Sequence, residues 1–232
     1  MFLDDPEVSG VVFFPRTVSF PKKLPDNIKP LKFRITKDIT IGGMCYLKEE
    51  GLPTILMFHG NGEVSTDYLN LYQAYHEIGV NLAVADFRGY GFSTGRPVYS
   101  GLIKDAMPIY SQFSKWMDEN GLRNSLFVKG RSLGSTCAAE IGSHNPENVR
   151  GMIFESGFAS IYNMMTRLFR VKGPDITKEK LNEYSNDTRI RKFEKPTLVI
   201  HGTADWIVPV EEGKAIFKAI PKEVEKELVL IE

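Results

Sequence analysis

Ser125-Leu126-Phe127-Val128-Lys129-Gly130-Arg131-Ser132-Leu133-Gly134-Ser135-Thr136-Cys137-Ala138-Ala139-Glu140-Ile141-Gly142 is the stretch on which the reading of the fold turns. Its opening residues are an apolar run of strand length, and its closing residues have helical character. Between the two stands Gly130-x-Ser132-x-Gly134, a pattern in which glycines let the chain turn so sharply that the serine hydroxyl stands proud of the sheet edge. Small residues at Ser135, Ala138 and Ala139 allow the following helix to lie close to the sheet. Ser132 is therefore the candidate nucleophile, and the plainer reading, Ser132 as the N-cap of a glycine-flanked helix, is its rival.

The same strand-then-helix unit recurs outward from this stretch. The apolar run Thr54-Ile55-Leu56-Met57-Phe58 suits a strand buried on both faces, and helical patterning follows it over about 66–78. Strands are predicted at 81–85, 125–128, 150–154, 197–200 and 227–231, with helices at about 102–119, 132–143 and 211–220. Strands alternating with helices imply an α/β fold, a mostly parallel twisted sheet of about eight strands with helices on both faces. Before this rhythm begins, residues 33–36 and 39–47 read as an N-terminal antiparallel hairpin turning at Lys37-Asp38. Residues 1–30 carry Pro6, Pro15, Pro21, Pro25 and Pro30 and are expected to form an extended strap.

A chain of 232 residues is long enough to bury one substantial core, and no linker divides it, so a single domain over 1–232 is expected. Basic and acidic side chains balance at 29 each without a basic stripe, which argues against nucleic acid and points to a small or neutral molecule. The two cysteines, Cys45 and Cys137, suit a reducing compartment and offer no metal site. No apolar run reaches the roughly 18 residues of a membrane span, and no leader pattern opens the chain. A cytoplasmic protein without a cofactor is the expectation.

In a parallel sheet ligands gather beyond the carboxyl ends of the strands, and the remaining motifs lie there. His59-Gly60-Asn61-Gly62 closes the strand 54–58, and the backbone amides of Asn61 and Leu133 are the candidate oxyanion donors. His59 itself is read as structural. Gly60-x-Gly62-x-x-Ser65, with Asp86 ending the next strand, also supports a dinucleotide-binding reading through Gly60, Gly62 and Asp86, although Ser65 replaces the third small residue that such a loop needs. Asp86 and Arg88 are expected to pair with local backbone, and Tyr90 or Phe92 to wall the pocket. Asp205, on the loop after 197–200, is placed to orient an imidazole, and Glu155 is the fallback acid.

Taken in order, His59-Gly60-Asn61-Gly62, Asp86-x-Arg88-Gly89-Tyr90-Gly91-x-Ser93, Gly130-Arg131-Ser132-Leu133-Gly134 and His201-Gly202-x-x-Asp205-x-x-Val208-Pro209 resemble the α/β-hydrolase superfamily, most of all its short-lid serine esterases and serine aminopeptidase-like members. Phe13-Phe14-Pro15-Arg16 and Gly95-x-Pro97-x-x-x-Gly101-Leu102 extend the likeness from about residue 13 to the end. The resemblance implies a serine hydrolase acting through an acyl-enzyme on Ser132. It also implies a triad histidine after the last strand, yet His59, His76, His144 and His201 all precede Asp205. The base is accordingly expected beyond Glu232, together with a final helix over the last strand, and residues 1–232 alone are expected to be nearly inactive.

About forty residues, near 157–195, separate the strands 150–154 and 197–200 and form a candidate short lid. Met164, Met165 and Leu168 fall at helical spacing there and are candidate contacts for an apolar acyl group, and 172–195 is expected to lie outermost. The expected partner is a small-molecule carboxylic ester, with thioester or amide as variants. A non-catalytic binding or regulatory member of the same fold is the alternative.

Overall fold

A computed structural model describes residues 2–122 and 125–232. In chain order the elements are α1 (Pro6–Val12), β1 (Ile28–Arg34), β2 (Thr40–Tyr46), β3 (Thr54–Phe58), α2 (Tyr72–Glu77), β4 (Asn81–Ala85), α3 (Tyr99–Glu119), β5 (Leu126–Arg131), α4 (Ser135–Ser143), β6 (Val149–Glu155), α5 (Ile161–Asn163), α6 (Lys178–Leu181), α7 (Asn186–Ile190), β7 (Thr197–Gly202), α8 (Val210–Ala219) and β8 (Lys226–Ile231). The strands form one eight-stranded sheet in the order β1-β2-β4-β3-β5-β6-β7-β8. β2 runs antiparallel to both β1 and β4, and every pair from β4 to β8 is parallel. This is the predicted α/β sheet with its N-terminal hairpin.

β3 pairs with β4 on one side and β5 on the other, so the chain reverses its direction of travel across the sheet at β3. A crevice opens at such a switch point, beyond the strands' carboxyl ends. Phe58 stands opposite Gly130 in the β3–β5 register. The loop after β3 and the turn after β5 therefore leave the sheet side by side, which sequence order alone does not show.

Apolar side chains fill both faces. The larger cluster includes Phe58, Phe113, Cys137, Phe154, Phe193 and Ile216, and the smaller includes Met57, Tyr46, Tyr68 and Leu82. β3 and β4 are buried along their whole length, as their unbroken apolar runs predict. β8 is different. Leu230 and Ile231 are exposed at the sheet's far edge. Among the described residues no helix is long and apolar enough to cross a membrane.

Two N-terminal expectations are corrected. Residues 6–12 form a helix, not an extended strap: Pro6 occupies the first turn, where its missing N–H costs nothing, and the Asp5 carboxylate accepts the Glu7 amide at 2.8 Å. Pro30 lies within β1, which the sheet tolerates because β1 is an edge strand bonded only to β2. The segment 172–195 is likewise not outermost. Leu181, Asn186, Ile190 and Phe193 are buried, and α7 packs against α4, with Asn186 Nδ2 donating to Ser135 Oγ (3.0 Å) and to the Phe158 carbonyl (2.8 Å).

The glycines of the elbow are required by proximity. A Cβ on Gly134 would stand 2.1 Å from the Phe58 carbonyl oxygen, and one on Gly130 would stand 2.6 Å from Ser135 Cα. Both obstacles are backbone, which cannot swing aside. Gly134→Ala is therefore expected to destabilise the fold by about 3 kcal/mol, at the upper end of overpacking costs. Gly10→Ala, where nothing lies within 4 Å of the added Cβ, is expected to stabilise α1 by up to about 1 kcal/mol. Urea denaturation of the two variants checks the pair.

Candidate active site

Ser132 follows the last residue of β5 at φ +47°, a left-handed conformation that only a few non-glycine residues of this chain adopt. Such strain at a strand-to-helix turn is what holds a serine hydroxyl clear of the sheet. Gly130 and Gly134 do not share the positive φ. The serine itself takes the strained conformation while the glycines let α4 close against β3 and β5, so the sharp turn predicted from glycine freedom has a different physical origin.

The turn opens onto a cavity of about 490 Å³. Ser132, Leu133, Asn61 and Asp205 all line it, and Met164, Leu168 and Ile207 supply part of its apolar wall. Four segments remote in sequence thus converge at one rim of the sheet. A smaller cavity of about 160 Å³ shares Met164, Leu168, Ile207 and Val208 with it and continues the apolar lining toward Phe158. Phe14, Phe169, Ser156, Glu63 and Arg131 also line it, and local sequence pattern does not signal them. Ser156, at φ +46°, is a second strained residue on the same wall.

Met165 is corrected. It is fully buried in the main core and does not line the cavity. Residues 164–168 form a π-helical turn, with Met164 and Leu168 on the cavity and Met165 in the core. Tyr90 and Phe92 are not cavity walls either. Tyr90 is buried behind Asn61, and Phe92 packs edge-on against Phe20.

The side chain of Asn61 is committed to the N-terminal segment. Its Oδ1 accepts from the Tyr90 hydroxyl (2.6 Å) and the Phe14 amide (3.0 Å), and its Nδ2 donates to the Val12 carbonyl (2.7 Å). Arg16 adds a bond to the Gly62 carbonyl (3.0 Å) and a two-pronged contact with Asp67. Residues 12–16 therefore fasten the loop after β3, and the side chain of Asn61 is used up in doing so. Leu133 lies in the first turn after the elbow, where an amide has no preceding helical carbonyl to bond.

Asp205 lines the cavity and caps its own loop. One oxygen, Oδ1, accepts the amides of Ile207 (3.0 Å) and Val208 (2.9 Å), which caps the loop after β7 and fixes the carboxylate. The other, Oδ2, lies 3.8 Å from His201 Nε2, too far for a hydrogen bond. His201 is instead buried, with Nε2 2.8 Å from the Val208 carbonyl.

None of the chain's four histidines lines the cavity. His59 is buried with Nδ1 2.8 Å from the Gly60 carbonyl and Nε2 3.3 Å from Asp86. His76 lies on α2 against the Tyr46 carbonyl, and His144 pairs with Glu140 at the surface.

Asp86 and Arg88 pair with distant groups rather than local backbone. Asp86, fully buried, accepts the Ser65 amide (2.6 Å) and hydroxyl (2.9 Å), and Arg88 meets both oxygens of Asp105 at 2.6 Å. That removes the dinucleotide reading, because a carboxylate buried in this way and engaged by Ser65 has nothing to offer a ribose. Among the described residues no group of three His, Cys, Asp or Glu side chains is arranged to hold a metal ion.

Glu155 is likewise not free to act as the acid. Its oxygens meet Lys129 Nζ (2.5 Å) and Arg131 Nε (3.0 Å), and Arg131 also pairs with Glu63. Register explains the cluster: Arg131 stands opposite Glu155 on the neighbouring strand, and Lys129 shares its face two residues back. Lys129-x-Arg131 was visible in the sequence, but its carboxylate partners were not.

An eight-stranded, mostly parallel sheet with a strained serine after its fifth strand and an aspartate after its seventh defines the α/β-hydrolase fold, and solved structures agree. Est1E from Butyrivibrio proteoclasticus with ferulic acid bound superposes with a TM-score of 0.68 at 18% identity, covering 87% of this chain and 88% of that one. The acylaminoacyl peptidase of Pyrococcus horikoshii gives 0.71 at 14% identity, over 89% of this chain and 37% of that one. Among curated relatives, Protein bem46 of Schizosaccharomyces pombe is 27% identical over 207 residues, 86% of this chain and 68% of the relative. Human Protein ABHD12B is 27% identical over 186 residues, 73% of this chain and 50% of the relative, so the chain spans about half to two thirds of the length of these two. Residues 51–185, more than half of the chain, match the Hydrolase_4 family of serine aminopeptidases, S33, and the protein belongs to that family.

The Glu155 cluster sets a pH dependence. Burial alone would raise the pKa of Glu155, but Lys129 and then Arg131 outweigh it and hold the carboxyl below its ordinary value. A depressed folded-state pKa contributes stability that is present above the unfolded value and is lost as pH falls through the folded one. Unfolding free energy measured by urea between about pH 5 and pH 3 should therefore fall less steeply in Glu155→Gln than in wild type.

Proposed function

We propose that the protein is a serine hydrolase that cleaves a carboxylic ester, with thioesters and amides as further substrates, through an acyl-enzyme on Ser132. The observation that carries the reading is the strained Ser132 facing a cavity that Asn61, Leu133 and Asp205 also line. In the reaction Ser132 Oγ attacks the carbonyl carbon while a histidine takes its proton, and the amides of Asn61 and Leu133 hold the developing oxyanion. The same histidine returns the proton to the leaving alcohol. Water then attacks the acyl-enzyme, again giving up a proton to the histidine, and the acid is released. Asp205, its orientation fixed by two backbone amides, holds the imidazole in the needed tautomer.

None of His59, His76, His144 and His201 lines the cavity, and the proposed base is a histidine held beside Asp205. The carboxyl end of β8 adjoins the Asp205 loop, because the Thr203 amide donates to the Ile231 carbonyl at 2.8 Å. The apolar wall formed by Met164, Leu168 and Ile207, continued into the adjoining cavity, supports an apolar acyl group on the substrate. Membership of the serine aminopeptidase family, S33, keeps amides in range beside esters.

A fluorophosphonate probe tests the reading on the full-length gene product. Labelling that disappears in Ser132→Ala is the expected result, and a folded protein that never labels would show a non-catalytic member of the fold. Asp205→Asn should slow hydrolysis of p-nitrophenyl butyrate by a factor of about 10⁴, the scale of a lost imidazole tautomer.

A further inference from the structure

We propose that Arg131 and Glu63 form an ionic clamp that fixes the loop after β3 against the elbow after β5, which makes both of them positioning residues for the oxyanion amides. The proposal rests on the hydrolase reading above and adds residues to it. The β3–β5 ladder ends at Phe58 opposite Gly130. Beyond that point no strand pairing holds the two segments together, yet one carries the Asn61 amide and the other the Leu133 amide.

The clamp spans this gap. Arg131, the last residue of β5, donates through Nη1 to Glu63 Oε1 and through Nε to Glu155 Oε1 (3.0 Å). Glu63 Oε2 accepts the Gly60 amide (3.0 Å) and the Tyr68 hydroxyl (2.9 Å). The carboxylate of Glu63 thus bonds the backbone of the oxyanion loop on one side and the residue preceding the nucleophile on the other. Behind them Glu155 meets Lys129, whose Nζ reaches the Tyr75 hydroxyl at 3.0 Å. Two cations and two carboxylates alternate along the chain of contacts, and their formal charges cancel.

Contact is close as well as polar. A Cβ on Gly60 would stand 2.8 Å from both Arg131 Nη1 and Glu63 Oε1, so the loop backbone rests directly on the ion pair. A displaced guanidinium would lose the Glu63 carboxylate that holds the Gly60 amide. Arg131 and Glu63 line the main cavity and also a second one of about 460 Å³, and so form part of the wall between them. The guanidinium engages two carboxylates of the protein, which leaves it a poor anchor for an anionic substrate and a good strut. Oxyanion donors are sensitive to placement: removal of one costs about 10²–10³ in kcat, and a misplaced one costs part of that.

The test uses the full-length gene product, p-nitrophenyl butyrate, and the variants Arg131→Met, Glu63→Gln, their double mutant, Arg131→Lys and Ser132→Ala. Each single clamp variant is expected to lower kcat about 10- to 100-fold with KM changed less than about twofold. The double mutant should fall no further than the worse single, because both remove one interaction. Arg131→Lys should recover part of the loss. Thermal melting reports folding, and if Arg131→Met does not fold, Glu63→Gln and Tyr68→Phe, the latter with a few-fold loss in kcat, carry the test. Unchanged kcat in folded variants, a rise in KM with kcat retained, or single losses that multiply in the double mutant would overturn the clamp. Activity surviving in Ser132→Ala would instead overturn the hydrolase reading, so the two failures are distinct.

Discussion

The closeness of α4 to the carboxyl ends of β3 and β5 is the constraint from which the site follows. Gly134 lies so near the Phe58 carbonyl that no side chain fits between them, and Gly130 is equally tight against Ser135. With the helix drawn in this far, the chain has one residue in which to turn, and Ser132 makes that turn at φ +47°. The cost of a left-handed non-glycine residue, on the order of 1–3 kcal/mol, is offset by the packing on either side. Cys137, Ala138, Ala139 and Ile141 are all buried beneath the turn.

The second constraint is topological. Because the chain starts the parallel sheet at β3, adds β4 on one side and then β5 on the other, two loops distant in sequence leave adjacent strands at the same level. The site is assembled at that divide. Asn61 is held from the N-terminal side by residues 12–16 and from the elbow side by Glu63 and Arg131, so the loop is fastened where the sheet's own hydrogen bonds stop. Asp205 reaches the same cavity from two strands further on, its loop fixed by its own carboxylate.

Charge is matched within the protein here, side chain by side chain. Lys129 is almost fully buried, which would be prohibitive for an isolated ammonium, and Glu155 and Tyr75 make it tolerable. Burial by itself would lower the pKa of Lys129, but these partners prevail and hold it above its ordinary value. The same pairing engages both oxygens of Glu155, while Glu63 and Asp205 are the carboxylates that line the cavity.

The sequence by itself determined the strands, the alternation with helices and the positions of the serine, the loop amides and the aspartate. Each of these is written in local pattern: Thr54-Ile55-Leu56-Met57-Phe58 is an unbroken apolar run, and Gly130-x-Ser132-x-Gly134 sits between two periodicities. A helix at residues 6–12 is also legible in Asp5-Pro6-Glu7, an N-cap followed by a proline in the first turn. Tertiary structure alone decided what faces what. Helical spacing groups Met165 with Met164 and Leu168, but packing places Met165 in the core while the other two reach the cavity. Asp86 and Arg88 found partners 21 and 17 residues away rather than beside them. The pairing of Arg131 with Glu63 depends on the β3–β5 register, a contact between residues 68 apart, and no local pattern encodes such a separation because it is fixed only when the sheet assembles.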